Sequence, residues 1–293
     1  GSTQTITNSV DLQGRPNNQL SLLSLTSSSQ WNFTASATAT YSYLTIQDSN
    51  NTGATITVDQ TNVDAGNNTG WSFTGTNAYT WIGNTSAAWA TGSNWQGGVV
   101  PGADDIAILD GNTGTYAPVI STTVSVAGVH LNTGFTKSLT LNTGSVLSIG
   151  AQDLFVAAGT MNTANGRVNI DSTFTLTGTA TYSASAYRTY ASGDWVQQSG
   201  SFIDNGGAVI FNGATDQILT TAGTASTQDF GRVVLEKSDG TLYLTTALKT
   251  SDNLEIRGKS AFDMQGKTVT VGKDLLVYGA VTLEGGEPLT YTG

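Results

Sequence analysis

From residue 233 onward, apolar side chains come in i, i+2 pairs: Val233/Leu235, Leu242/Leu244, Leu254/Ile256, Phe262/Met264, Val269/Val271, Leu275/Val277 and Val281/Leu283. Such a pair puts both side chains on one face of a β-strand. The pairs also recur as a set. Val233 to Leu254 and Leu254 to Leu275 are each 21 residues, as is Leu248 to Val269. Leu242 to Phe262 is 20 and Phe262 to Val281 is 19. Upstream, Val126, Leu147 and Val168 are 21 apart, and Leu154 and Phe174 are 20 apart.

Three short strands in each repeat of 20–21 residues define one coil of a right-handed parallel β-helix, an all-β solenoid. Each coil hydrogen-bonds to the coils on either side, and inward side chains stack on their counterparts. An antiparallel sandwich also alternates strands with glycine turns. Its strands are not equivalent, so it has no reason to hold a fixed period through successive units. The solenoid reading places Leu254, Ile256, Leu275 and Val277 in the core. Asn-Thr-Gly, a turn sequence, occurs five times between strands, beginning at Asn51, Asn68, Asn112, Asn132 and Asn142.

Composition agrees. Thr, Ser, Asn and Gly supply 132 of the 293 residues, while charged residues are only 11%. Apolar residues still reach 38%, which opposes disorder. There is no cysteine and one histidine, which rules out chemistry built on several of either. A net charge of −10 argues against nucleic acid, and no run of 18 apolar residues predicts a membrane span. No cofactor is expected. The absence of cysteine, the few charges and the many hydroxyls fit an extracellular, cell-surface setting. The opening Gly1-Ser2 without methionine reads as a cloning remnant and the chain as a piece of a longer protein.

Along the chain, residues 1–74 form a first β block, the end of a preceding module or a cap. Residues 75–293 form the β-helix module. It opens with a tryptophan-rich junction at 75–119, and the period fails at 178–205, which is expected to be an irregular outward loop. The junction runs Trp81-Ile82-Gly83, Trp89, Asn94-Trp95-Gln96-Gly97-Gly98, Pro101 and Asp105-Ile106-Ala107. It resembles the opening of β-helical repeat modules in large bacterial surface proteins, autotransporter-passenger-like and filamentous-haemagglutinin-like adhesins. The stretch Trp195…Gly200-Ser201-Phe202…Gly206-Gly207-Ala208-Val209-Ile210-Phe211-Asn212-Gly213 is similar to their recurring unit. The resemblance implies a surface-exposed, repetitive, adhesin-like segment.

Candidate chemistry is sparse. Asp104-Asp105 is the one adjacent acid pair, but Pro101-Gly102-Ala103-Asp104 reads as a turn feeding a strand. Galacturonan hydrolases of this fold carry Gly-His-Gly, which is absent; Arg257-Gly258-Lys259 has their Arg-x-Lys spacing without a matching histidine. His130, between Val129 and Leu131, is expected to point outward. Asp59, Asp64, Asn67 and Asn68 could offer oxygens to calcium, yet they also make a good turn sequence, and no metal is expected. Trp81, Trp89 and Trp95 offer rings that could stack on a sugar, but Trp81, Trp95 and Trp195 sit at module-signature positions where tryptophan caps or fills a core. Tyr187 and Tyr190, in the stretch where the period fails, are the better candidates for stacking on a sugar.

The sequence therefore predicts a non-enzymatic adhesive or spacing rod of a bacterial surface or secreted protein. A carbohydrate-active β-helix, either a glycan-binding module or a lyase or hydrolase, is the alternative. Partners would be a surface glycan or another cell-surface molecule. Open strand edges at the ends also predict end-to-end self-association.

Overall fold

A computed structural model of the chain describes residues 3–14, 20–26, 29–35, 39–59, 61–73, 77–221, 229–286 and 288–291. Gly1-Ser2 and Thr292-Gly293 lie outside them. Its parallel strands stack into a β-solenoid of about 12 turns. At about 4.8 Å per turn the stack is on the order of 55 Å long.

Three parallel sheets run along the rod. The first has ten strands, from Ala78–Thr80 to Ala280–Thr282. The second has eight, from Thr123–Val126 to Leu275–Val277. The third has five strands from Val119–Ile120 to Ser201–Ile203, then three from Leu248–Thr250 to Leu289–Tyr291. Phe230 fills the gap, stacked on Phe202 at 4.9 Å.

The register follows the sequence period closely. Val233 pairs with Leu254 and Leu254 with Leu275; Leu242 pairs with Phe262 and Phe262 with Val281. Leu248 pairs with Val269. One expectation shifts: Val126 stacks on Ile149 and Val124 on Leu147. Two extra residues in that coil move the equivalence by one inward step while preserving which face is buried.

Stretch 178–205 is not an irregular loop. Thr181–Ser183, Arg188–Ala191, Trp195–Gln197 and Ser201–Ile203 are strands that continue the sheets in parallel register. Its inward positions are Tyr182, Thr189, Ala191, Trp195 and Phe202 rather than paired Val and Leu, so the apolar signal faded while the geometry persisted. Trp195 sits 4.2 Å from Phe174, and Phe202 stacks on Tyr182 at 6.0 Å. The longer coil comes later, between Ala208–Phe211 and Arg232–Leu235.

Leu254 and Ile256 are buried, as expected. Leu275 is only partly buried against the core and Val277 is 45% exposed. Both keep the inward register, but Leu275–Val277 is the last strand of its sheet, so no further described strand covers it. Val277 is therefore not a core residue here.

The first block is also built from parallel strands, with Thr3 beside Asn32 and Asn32 beside Asn50. Phe33 and Trp71 stack at 5.8 Å in its interior. Val63 belongs to the same buried cluster as Tyr79 and Trp81, and the Tyr79 hydroxyl donates to the Asp64 carbonyl at 3.3 Å. Three of the Asn-Thr-Gly glycines, Gly70, Gly134 and Gly144, have φ of 73°, 94° and 81°. Glycine adopts this left-handed backbone without steric cost, which explains the tripeptide at these turns.

Candidate functional site

The junction is structural. Trp81, Trp89 and Trp95 are buried and meet edge-on or stacked, with Trp89 and Trp95 centroids 4.6 Å apart. The Trp81 indole N–H donates to the Tyr116 carbonyl and that of Trp95 to the Trp89 carbonyl. Asn94, fully buried, ties the surrounding turns. Its Oδ1 accepts from the Thr85 and Ser86 N–H groups, and its Nδ2 donates to Ser86 Oγ and the Ala88 carbonyl. These rings offer no face to a ligand.

Asp105, Asp59 and Asp64, acids of the other candidate sites, are engaged in local bonds. Asp105 accepts from the Gly102 N–H at 2.8 Å, closing the turn into its strand. Asp59 accepts from the Thr61 N–H and hydroxyl, and Asp64 from Gly66 N–H and Asn68 Nδ2. Among the described residues no group of three or more metal-ligating side chains converges. Arg257 bonds to Glu255 and Glu236, not to Asp104. His130 points outward, where its Nε2 meets Asp153 Oδ1 at 2.8 Å and its ring meets Phe155 edge-on. Among the described residues, no hydroxyl is hydrogen-bonded to it.

The outer face of the eight-stranded sheet is different. Alternation along Arg167–Ile170 sends Val168 and Ile170 inward and Arg167 and Asn169 outward. The next strand does the same with Thr189 and Ala191 against Arg188 and Tyr190. Asn169 pairs with Tyr190, and the register two residues earlier sets Arg167 beside Arg188. Arg232 stands further along the same row, across Ala208, and Arg257 just beyond the strand after it. So four of the five arginines in the chain gather on one face; the fifth, Arg15, lies outside the described residues.

This face has two halves. Toward the C-terminal end, Glu255 is clamped by Arg232 at 3.0 Å and by Arg257 at 2.8 Å, and Arg257 also reaches Glu236 at 3.0 Å. The Arg257 and Arg232 guanidiniums hold the Glu255 carboxyl below the usual carboxylate range, against the opposing effect of desolvation. Beneath this network, outward Ile210 and Val234 are each only 2% exposed. Toward the N-terminal half lies a shallow, open groove of about 280 Å³ lined by Ser148, Arg167, Asn169, Asp171, Tyr190 and Asn212. Asn169 Nδ2 donates to Ser148 Oγ, and Arg188 Nη1 donates to the Tyr190 hydroxyl at 3.1 Å, at the rim. Among the described residues, the side chains of Arg167 and Asp171 have no hydrogen-bond or ion-pair partner.

Of the two tyrosines singled out from the sequence, Tyr190 lines this groove. Tyr187 does not. It is 62% exposed in the turn before the strand, its N–H held by Ser185 Oγ. The arginines were missed. Their signal was present as Arg-Val-Asn-Ile and Arg-Thr-Tyr-Ala, 21 residues apart. The fold and this face define the class: a parallel β-solenoid with a polar, arginine-bearing outer sheet. No known protein family, curated protein or solved structure matches the chain.

Proposed function

We propose that this chain is a non-enzymatic rod segment of a bacterial surface or secreted protein, serving adhesion or spacing. The observation that carries the reading is the single buried cluster running from Val63 to Val271 through the stacked coils. A continuous core of this kind makes a stiff, elongated body. The outward positions, rich in hydroxyls and amides, leave its sides free for many weak contacts. The groups most suggestive of catalysis, Asp105 and His130, are each held in local bonds. End-to-end association fits the same reading, because Val277, Tyr278, Leu283, Leu289 and Tyr291 are exposed around the last coil.

Two measurements test the proposal together. Small-angle scattering should report an elongated particle, lengthening with concentration as ends meet. Incubation with a panel of acidic and neutral polysaccharides should release no reducing ends and no unsaturated products. Detectable product release would sink the non-enzymatic reading in favour of a carbohydrate-cleaving β-helix.

A further inference from the structure

We propose that the groove between Arg167 and Tyr190 binds an acidic polysaccharide, a chain of uronic acid residues. The proposal rests on the adhesive side of the reading above. The two can fail separately, because rod shape and absence of cleavage do not depend on this groove.

The argument begins with charge. The chain is acidic overall, yet four of its five arginines share one sheet face. Two of them, Arg232 and Arg257, are neutralised by Glu255 and Glu236. Arg167 and Arg188 form no ion pair among the described residues. They stand on adjacent coils, about 4.8 Å apart across the sheet. Two cationic side chains rooted on neighbouring strands offer a carboxylate set between them charge-assisted hydrogen bonds.

The rest of the groove defines what carries the carboxylate. Asp171 lies on the same outward line as Arg167, four residues and so about 13 Å away along the strand. It would repel an anion beside it and accept hydrogen bonds from hydroxyls. Ser148, Asn169 and Asn212 add neutral donors and acceptors. Tyr190 stands between the two arginines and these amides, half-buried, with its hydroxyl held by Arg188. A ring fixed in this way presents apolar surface at little entropic cost. A simple anion would use only the arginines. A neutral sugar would leave two guanidiniums uncompensated. A polyhydroxylated chain with carboxylates uses every group, and an open groove on the side of a rod accepts a polymer.

The test is calorimetric titration of the full chain with a sodium mannuronate oligosaccharide, in chelator, against a mannose oligosaccharide of equal length. Saturable binding of the uronate chain alone is expected. Arg167→Gln and Arg188→Gln should each weaken it about ten-fold or more, with melting temperatures near that of the unmodified protein. Tyr190→Ala should weaken it comparably and Tyr187→Ala should not. Lys249→Gln removes a positive charge from the third sheet and should leave binding unchanged. The proposal is overturned if the uronate chain does not bind, or if the neutral chain binds equally well. It is also overturned if the Arg167→Gln, Arg188→Gln double variant binds normally, or if Lys249→Gln weakens binding as much as the arginine variants do.

Discussion

Lys237 donates its ammonium to Gln217 Oε1 at 2.7 Å inside the solenoid wall, where Lys237 is only 4% exposed. The same ammonium donates to the carbonyls of Gly213 and Thr215, and Gln217 Nε2 donates to the carbonyls of Ala191 and Gly193. One lysine and one glutamine thus fasten the turns of three successive coils, the middle one being the longer coil that follows Phe211.

Replacing this lysine tests the arrangement. Lys237→Met leaves three acceptors without the donor they share, and should destabilise the protein by about 1–3 kcal/mol. Burial pushes the Lys237 ammonium below its ordinary value of 10.5, against the raising effect of Asp216, Asp194 and Asp239. The unfolded chain then binds this proton more tightly than the folded one. Stability contributed by Lys237 should rise as pH climbs through the folded value toward 10.5. Urea denaturation from pH 7 to 10.5 should show the gap between unmodified protein and Lys237→Met widening; a constant gap would refute the titration.

Glu255 behaves in the opposite sense. Its carboxyl is held low by Arg257 and Arg232, so the network stabilises the fold above the ordinary value of 4.5 and loses that stabilisation as pH falls through the folded value. Glu255→Gln should cost about 1 kcal/mol at neutral pH, because the arginines are partly exposed. At pH 3 the two proteins should melt closer together than at pH 7. Equal differences at both pH values would show that the carboxylate charge is not what matters.

Core truncation should depend on place in the stack rather than on residue type. Leu254→Ala, beneath a covering coil, should cost about 2–5 kcal/mol. Leu275→Ala, in the same column but only partly buried, should cost clearly less. Chemical denaturation of the two variants decides it, and equal losses would mean that the last coil is covered in solution.

The tryptophan junction has its own signature. Asn94→Ala removes all four side-chain bonds that bind the turns around Trp81, Trp89 and Trp95. A loss of about 3 kcal/mol or more is expected from the stranded buried partners. Tryptophan emission should shift to the red as the rings meet water. Unfolding without that early shift would place the role of Asn94 elsewhere.

Which side of each strand is buried was legible in the chain, because a period of two along Val233–Leu235 or Leu254–Ile256 has one physical reading. So was the stacking of Leu242, Phe262 and Val281, since coils of nearly equal length bring equivalent residues together. The burial of Trp81 and Trp95 followed from their module-signature positions, where tryptophan caps or fills a core. The stretch at 178–205 was misread because Tyr182, Thr189 and Trp195 fill inward slots without looking like Val or Leu. Aromatic stacking across coils satisfies a core as well as aliphatic packing does, and leaves no two-residue apolar pattern behind.

The sequence alone determined the solenoid, its three strands per coil and the inward phase of each, since burying apolar surface imposes a pattern wherever it acts. Only the tertiary structure decided which outward residues are neighbours. Water accepts any polar side chain, so the outer face carries no period of its own. The lateral partners of Arg167 depend on the exact number of residues in each turn: a coil of 21 sets Arg167 beside Arg188, while two extra residues moved Val126 onto Ile149. Whether an arginine is free or neutralised was equally invisible. Arg167 and Arg257 look alike in the chain, and only the register brings Glu255 and Glu236 to the second.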